Sequence, residues 1–284
     1  MEYWTQQILN GLTLAAVLFL LASGLSLIYG LMRVLNLAHG SFYLVGAFIG
    51  LAVMNRTGNF LVGAVVAVVA VAAMGALVQR FLIARVQDKP SAQVLLTFGL
   101  VLIAADIALW IGDGRVRVLP KPAAFDGPID LGIATYPKYR LLVIGVSVVV
   151  AFGSWLLQDH TRLGAILRAA VDDQEMASGV GTNVPSLFTW VFALGAGLGA
   201  LAGVMAGPFF GIFQGVDLEM LILAFVVVVV GGTGSLVGAI VGSLAIGLVD
   251  TFGKVWFPSL ANVTVFLPMA VILVMRPAGL FGRV

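Results

Sequence analysis

The amino-acid sequence predicts an all-α, polytopic bundle of transmembrane helices on the strength of three observations. Hydrophobic residues make up 61% of the 284 residues and charged residues only 10%, against about 25% charged in an ordinary soluble domain. The few charges fall between long apolar runs, and a membrane span needs about 20 mostly apolar residues. Some stretches, such as Ala64–Ala73, are apolar on every face, unlike the alternating strands of a membrane barrel. The spans are therefore predicted to be helices.

The apolar runs predict eight or nine spans in a single domain that covers residues 1–284. The first run has no Lys or Arg before Arg33, so it is predicted to be a first span and not a cleaved signal peptide. The second and seventh spans are short or glycine-rich, which makes them candidates for broken or re-entrant helices. The predicted spans are 8–30, 37–54, 60–84, 93–112, 139–158, 187–207, 217–231, 235–255 and 260–276.

Two long connections interrupt this series, one at about 113–138 and the other at about 159–186. Nine spans place them on opposite sides of the membrane. Lys and Arg in short loops favour the cytoplasmic side. The sequence therefore predicts an outside N-terminus, an extracytoplasmic 113–138 loop, and a cytoplasmic 159–186 loop and C-terminus. The basic residues on the predicted cytoplasmic side are Arg33, Arg80, Arg85, Lys89, Arg162, Arg168, Arg276 and Arg283.

Several kinds of chemistry find no support in the sequence. The chain has no cysteine, which removes disulfides, thiolate catalysis and cysteine-based metal sites. A net charge of +2 is too small to indicate a nucleic-acid partner. The sequence contains no P-loop motif, and neither His39 nor His160 has neighbours that indicate a metal site. We therefore predict no catalytic residue and no metal site, and a membrane enzyme is disfavoured.

Glycines repeat at a spacing of four in two of the predicted spans. Residues four apart share one helix face, and a glycine face lets two membrane helices approach closely. The repeats predict helix packing; an interface that slides when the helices move is the alternative. The glycines are Gly195, Gly199 and Gly203 in one span, and Gly234, Gly238 and Gly242 at the start of another.

Three polar residues lie where apolar ones are expected. Asp106 lies inside the fourth span, and an acidic group there usually faces the bundle interior or water. Asn36 and His39 lie near the start of the second span. We predict that these three residues are interior polar groups or line a pathway. For His39, a hydrogen-bonded packing role is the alternative.

The 159–186 connection contains a predicted helix from Arg162 to Gly179. Its residues are good helix formers, Arg168 and Asp172 are four apart and can pair, and Gly179 suits a helix end. Glu175 lies on the same stretch. From the residues alone, an ordinary surface helix and a helix that docks on another protein remain equally open.

Four stretches of the chain carry a resemblance to a known family. They are GLMRVLNLAHGSFY at 30–43, the loop at 168–181, GGTGSLVGA at 231–239 and RPAGLFG at 276–282. Together they resemble the permease subunits of branched-chain amino acid ABC importers of the LivH type. The resemblance covers essentially the whole chain.

This resemblance implies a pore subunit in the bacterial inner membrane for branched-chain or related amino acids delivered by a periplasmic binding protein. It implies a second, often non-identical permease, two cytoplasmic ATPase subunits that bind the ATP, and no cofactor on this chain. In such permeases a Glu-Ala-Ala…Gly pattern meets the ATPase, which implies that role for Arg168, Asp172, Glu175 and Gly179, although Met176 departs from the pattern. The alternatives are import of urea, short amides, a sugar or other small polar solutes, and a stand-alone secondary transporter or channel.

Overall fold

The computed structural model describes residues 2–87 and 89–282, and Arg283 lies outside them. The described residues form twelve α-helices, three short 3₁₀ turns and one antiparallel hairpin. The helices are α1 (Glu2–Met32), α2 (His39–Thr57), α3 (Phe60–Phe81), α4 (Pro90–Gly112), α5 (Lys138–His160), α6 (Arg162–Asp172), α7 (Gln174–Gly179), α8 (Val184–Phe210), α9 (Val216–Gly231), α10 (Leu236–Trp256), α11 (Ala261–Thr264) and α12 (Phe266–Met275). The strands are β1 (Pro128–Asp130) and β2 (Thr135–Pro137), and the turns are Ile83–Val86, Ala123–Phe125 and Pro258–Leu260.

Six of the described helices are long and apolar enough to cross a membrane, namely α1, α3 with the 3₁₀ turn after it, α4, α5, α8 and α10. The chain is therefore a multi-pass helical membrane protein. Helix α9 has 16 residues, which span about 24 Å, less than a typical hydrocarbon core of about 30 Å. The predicted span at 260–276 is divided in the structure into a 3₁₀ turn, α11 and α12.

Local sequence signals account for several of the helix ends. The Asn59 side chain caps α3 by accepting hydrogen bonds from the N–H groups of Leu61 (2.9 Å) and Val62 (3.2 Å). Gly58, at φ 66°, ends α2 in the left-handed region, which glycine adopts without steric cost. The turn between α2 and α3 is therefore only two residues long, and the two helices run antiparallel.

Helix α1 lies at the centre of the bundle and packs against α5, α8, α9 and α10. In its most apolar stretch 89% of the residues are buried, against 17% in α4 and 11% in α5. A helix that is apolar on all sides is expected in the interior, and α1 meets that expectation. Helices α4 and α5 are equally apolar, but they lie at the periphery.

Close backbone contacts hold the centre of the bundle together. A Cβ placed on Gly24 of α1 would lie 2.5 Å from the carbonyl oxygen of Gly195 in α8. A Cβ on Gly203 would collide with the carbonyl oxygen of Tyr43 in α2. On the other side of α1, a Cβ on Gly242 would lie 2.6 Å from the carbonyl oxygen of Val227 in α9. These glycines are among the points at which α1, α2, α8, α9 and α10 approach one another closely.

The 113–137 connection folds over the end of the bundle where α1 begins. Arg117 and Ile212 exchange two backbone hydrogen bonds (2.9 and 2.7 Å), and Leu119 is buried. The hydroxyl of Tyr136, in β2, lies 2.9 Å from the hydroxyl of Thr13. This loop is therefore folded against α1 and α8 and closes that end of the bundle. We call the opposite end, where α1 finishes and α6 lies, the α6 end.

Residues 276–282 return to the bundle at the α6 end and cap α9. The N–H groups of Leu280 and Phe281 donate to the carbonyl oxygens of Val230 (3.0 Å) and Gly231 (2.9 Å). The last carbonyl groups of a helix have no partner within the helix. The 276–282 segment therefore supplies hydrogen-bond donors to two of these carbonyl groups in α9. Its close fit depends on Gly279, whose Cβ would lie 2.6 Å from Cα of Gly232.

Candidate functional site

A cleft of about 650 Å³ opens at the α6 end of the bundle. Its sides are formed by the second half of α1, the end of α5, helix α6, and the connection from α9 to α10. Phe281 of the 276–282 segment also contributes to it. Helices α5 and α10 flank α1, so the cleft is a gap between them with α1 as its floor.

The lining of the cleft combines polar and apolar groups. Ser23 and Ser26 of α1 are almost completely buried in its floor. The Ser23 hydroxyl donates to the carbonyl oxygen of Leu20 (3.0 Å), which leaves its oxygen able to accept. Leu27 and Leu236 supply apolar surface. Such a lining suits small solutes that carry both an aliphatic part and polar groups.

Charged groups surround the mouth of the cleft. Arg33 follows α1 with φ 51°, a conformation that is uncommon for a residue with a side chain. Its N–H donates to the carbonyl oxygen of Tyr29 (2.8 Å), and its side chain is exposed at the cleft. The Arg168 guanidinium lies 3.5 Å from the Asp159 carboxylate, and both residues line the cleft.

Two glycines set the distance between α1 and the connection from α9 to α10. A Cβ placed on Gly30 would lie 2.6 Å from Cα of Gly234, and a Cβ on Gly234 would lie 2.8 Å from Cα of Gly30. Gly234 also has φ 77°, which a residue with a side chain rarely adopts. The wall of the cleft therefore rests directly on the backbone of α1.

The predicted helix from Arg162 to Gly179 is divided into α6 and α7 at Asp173. Asp173 has an extended backbone, and its carboxylate accepts a hydrogen bond from the N–H of Met176 (2.9 Å). The Thr161 hydroxyl caps α6 in the same way, through the N–H of Gly164 (3.1 Å). Aspartate is a strong N-cap, so Asp173 favours starting a new helix over continuing the old one.

The predicted pair between Arg168 and Asp172 is wrong. Arg168 points back along the chain to Asp159 and also donates to the carbonyl oxygen of Gln158. Asp172, Glu175 and Gly179 are exposed. Arg168 therefore connects α6 to the end of α5, while the acidic residues remain at the surface.

The outer surface of α6 and α7 is mixed in character. Ala170 and Ala177 are buried against the rest of the protein, and they anchor the two helices. Leu163, Met176 and Val180 are 55%, 65% and 76% exposed, next to the exposed acidic groups. Apolar side chains surrounded by polar ones at a surface are typical of a protein-binding site.

His39 is enclosed between α1 and α8. Its Nε2–H donates to the carbonyl oxygen of Leu21 (2.9 Å). The ring occupies space left by two glycines, since a Cβ on Gly24 would lie 3.0 Å from Cε1 and a Cβ on Gly199 would lie 3.6 Å from Nε2. Both Asn36 and His39 are 0% exposed. Within the described residues, the Asn36 amide group and Nδ1 of His39 have no hydrogen-bond partner.

Asp106 lies on the exposed face of α4 and not in the interior of the bundle. Asp106 therefore lies apart from Asn36 and His39, although all three were predicted to be interior polar residues or to line a pathway. The four residues predicted on the 159–186 connection are divided, because Arg168 faces the cleft whereas Asp172, Glu175 and Gly179 lie at the outer surface of α6 and α7. Asn36 and His39 lie apart from both, beside α1.

Several buried polar residues are not among the site residues predicted from the sequence. Ser23 and Ser26 gave no signal, because small hydroxyl residues are common within membrane helices. Asp250 is 5% exposed and forms a 2.6 Å ion pair with Lys254, and their spacing of four residues is a signal that could have identified it. Asp217 is also buried, and its carboxylate accepts from the N–H of Gly215 (3.2 Å).

Comparison with known proteins gives consistent matches along the chain. Residues 7–276 match the family described as branched-chain amino acid transport system / permease component. The chain is 27% identical to the high-affinity branched-chain amino acid transport system permease protein BraD of Pseudomonas aeruginosa, over 99% of this chain and 96% of that protein. It is also 27% identical to the corresponding permease protein LivH of Escherichia coli K12, with the same two coverages. Among solved structures, PsaBC from Streptococcus pneumoniae in complex with Fab aligns at 16% identity and a TM-score of 0.49, over 94% of this chain and 89% of that one. This last likeness supports no conclusion.

Proposed function

The chain belongs to the branched-chain amino acid transport system permease family, and we propose that it is the pore subunit of an ATP-driven importer in the bacterial inner membrane. Its substrates are branched-chain or related amino acids that a periplasmic binding protein delivers. It works with a second, non-identical permease and with two cytoplasmic ATPase subunits that bind the ATP. Residues 1–284 form one permease domain, with eight or nine membrane crossings.

The observation that carries this proposal is the position of α6 and α7. They are two short, separately capped helices outside the six long apolar helices, with exposed apolar and acidic side chains. They also adjoin the mouth of the cleft, which α6 helps to form. A partner that moves α6 therefore moves one wall of the cleft directly. We assign Asp172, Glu175 and Gly179 to the contact with the ATPase, and Arg168 to the link between α6 and α5.

The proposed orientation places the α6 end in the cytoplasm. Its support is the distribution of Lys and Arg. Basic residues lie at or beside the helix ends on that side, namely Arg33, Arg80, Arg85, Lys89 and Arg162. The N-terminus and the 113–137 loop are then extracytoplasmic. The cleft opens to the cytoplasm, as expected for the state in which an importer releases its substrate.

The lining of the cleft supports a small amphipathic substrate. Leu27 and Leu236 offer apolar surface to an aliphatic side chain, while Ser23 and Ser26 offer hydroxyl groups to its polar end. Urea, short amides, sugars and other small polar solutes would use only the polar part of this lining. We therefore favour branched-chain amino acids over these alternatives within the same family. We assign Asn36 and His39 to the polar interior beside α1.

The test is ATP-driven uptake by the complete importer, purified from native membranes and reconstituted in vesicles. Replacing both Asp172 with Asn and Glu175 with Gln should reduce leucine uptake about tenfold, the effect of losing hydrogen bonds to charged groups, while ATP hydrolysis continues. The matched control replaces Asp126 and Asp130, two exposed aspartates of the opposite loop, with Asn, and should leave uptake unchanged.

Two results would overturn this proposal. Equal uptake by the double variant and the control would remove α6 and α7 from the coupling. Purification of the chain without ATPase subunits, together with uptake driven by an ion gradient, would establish the stand-alone transporter instead. Uptake of urea or a sugar in place of leucine would keep the ATP-driven mechanism and correct the substrate.

A further inference from the structure

A second groove, of about 750 Å³, lies on the outer surface between α3 and α8. It is separate from the cleft, which involves α1, α5, α6 and α10. Its floor consists of small side chains, Ala72, Ala73 and Ala76 from α3 and Ala193 from α8. The exposed side chain of Trp190 stands beside it.

Helices α3 and α8 run antiparallel along this groove. Gly197 of α8 packs against Val68 and Ala72, whereas Phe192 and Ala196 lie at Gly75, nearer the end of α3. The last turn of α3 therefore meets the beginning of α8. Both helices bring their polar residues to this shared end, and these are Arg80 from α3 and Asn183, Ser186 and Thr189 from α8.

The groove thus changes character along its length. Residues 72 to 80 extend about 12 Å along the helix axis, from an alanine floor to a guanidinium group. From the N-cap of α8 inward, the order is the Asn183 amide, the Pro185 ring, two hydroxyls, the Trp190 indole and the Ala193 methyl. This is the polarity gradient of a phospholipid, which passes from phosphate through glycerol esters to an acyl chain.

The charge at the polar end favours an anion. Arg80 is exposed and takes part in no ion pair with the residues that the structure describes. The positive end of the α8 dipole lies at the same place, and it adds to the attraction for negative charge. The Thr189 hydroxyl donates to the carbonyl oxygen of Pro185 (3.0 Å), so it provides no donor for an anion and the Arg80 guanidinium is the charged group that does.

We propose that this groove binds one anionic phospholipid from the leaflet at the α6 end, with its phosphate on Arg80 and an acyl chain on the alanine floor. Basic pockets between transmembrane helices are known binding sites for acidic headgroups. A partner helix, about 10–12 Å across, fits less well, because Trp190 and Leu194 project from α8 beside the floor with 69% and 46% exposure. The proposal needs only the membrane location of the chain and is independent of its substrate.

Fluorescence of Trp190 tests this proposal in the complete importer, reconstituted in phosphatidylcholine vesicles. The Trp190 signal is the difference between the protein and its Trp190→Phe variant, since the chain has five tryptophans. Brominated phosphatidylglycerol should quench this signal about fivefold more effectively than brominated phosphatidylcholine at the same low mole fraction, the selectivity that one arginine near the surface provides.

Two variants separate the headgroup from the acyl chain. Arg80→Gln should make the two brominated lipids equally effective, whereas Arg56→Gln should not. Arg56 is the matched control, because it too is an exposed arginine in the last turn of its helix, at the other end of the bundle. Ala73→Leu fills the exposed floor and should reduce quenching by both lipids.

Three outcomes would overturn the proposal. The first is equal quenching by the two lipids in the unmodified protein. The second is unchanged selectivity in Arg80→Gln, which would mean that the guanidinium does not hold the headgroup. The third is the absence of quenching by either lipid, which would mean that a protein partner covers the groove.

Discussion

Helices α1 and α5 are both apolar and both long enough to cross a membrane, yet their surroundings are opposite. In their most apolar stretches, 89% of the residues of α1 are buried but only 11% of those of α5. Their glycines show the reason. Gly24 and Gly30 of α1 touch the backbone of neighbouring segments, whereas Cβ atoms added to Gly145 and Gly153 of α5 would meet nothing within 4 Å. In this protein, close backbone contacts and not hydropathy distinguish the centre of the bundle from its periphery.

The largest effect is expected when one methyl group is added at a close backbone contact in the centre and one at the periphery. Gly203→Ala puts a Cβ against the carbonyl oxygen of Tyr43, so the backbones must separate. We expect a loss of about 2 kcal/mol in the free energy of unfolding, as for overpacked cores. Gly145→Ala is the matched control, and it should change stability by less than about 0.5 kcal/mol.

The measurement is the unfolding of the purified protein in detergent, followed by circular dichroism. Equal stability of the two alanine variants would contradict the role assigned to close backbone contacts.

A smaller effect is expected at His39, which fills the space between α1 and α8. His39→Ala removes the hydrogen bond to Leu21 and leaves a cavity beside Gly24 and Gly199. We expect a loss of about 1.5 kcal/mol, measured by the same unfolding experiment. If His39→Ala keeps normal stability but loses uptake, His39 belongs to the transport pathway and not to the packing between α1 and α8.

The smallest effect on stability is expected at the periphery. Arg168→Gln breaks an exposed ion pair with Asp159, and exposed pairs contribute less than about 1 kcal/mol. Uptake should nevertheless fall, because α6 loses its link to α5. Lys138→Gln, a change at a half-buried lysine at the opposite end of α5, is the control. A large loss of stability in Arg168→Gln would mean that α6 is part of the core.

The approximate positions of most spans could be predicted from the sequence, because each long run without charges must form a helix in a membrane. The relative positions of the helices could not be predicted from the sequence. Asp106 is a polar residue in an apolar run whether it faces inward or outward, and only the contacts of α4 place it at the exposed face. The end of α6 was also hidden, because Asp173 stands among good helix formers, and the sequence around it does not distinguish an aspartate on a helix surface from one that starts a new helix. Arg168 had two acidic neighbours within reach, Asp159 and Asp172, and the spacing of four residues favoured the wrong one.

The contact between residues 276–282 and α9 imposes an order on the making of this protein. Leu280 and Phe281 supply hydrogen bonds to the end of a helix that precedes them by 50 residues, from Val230 to Leu280. At a synthesis rate of about 5–20 residues per second, α9 leaves the ribosome several seconds before its end can be capped. During that interval its last carbonyl groups need water or another temporary partner, and the end of α9 stays uncapped until residues 280 and 281 arrive.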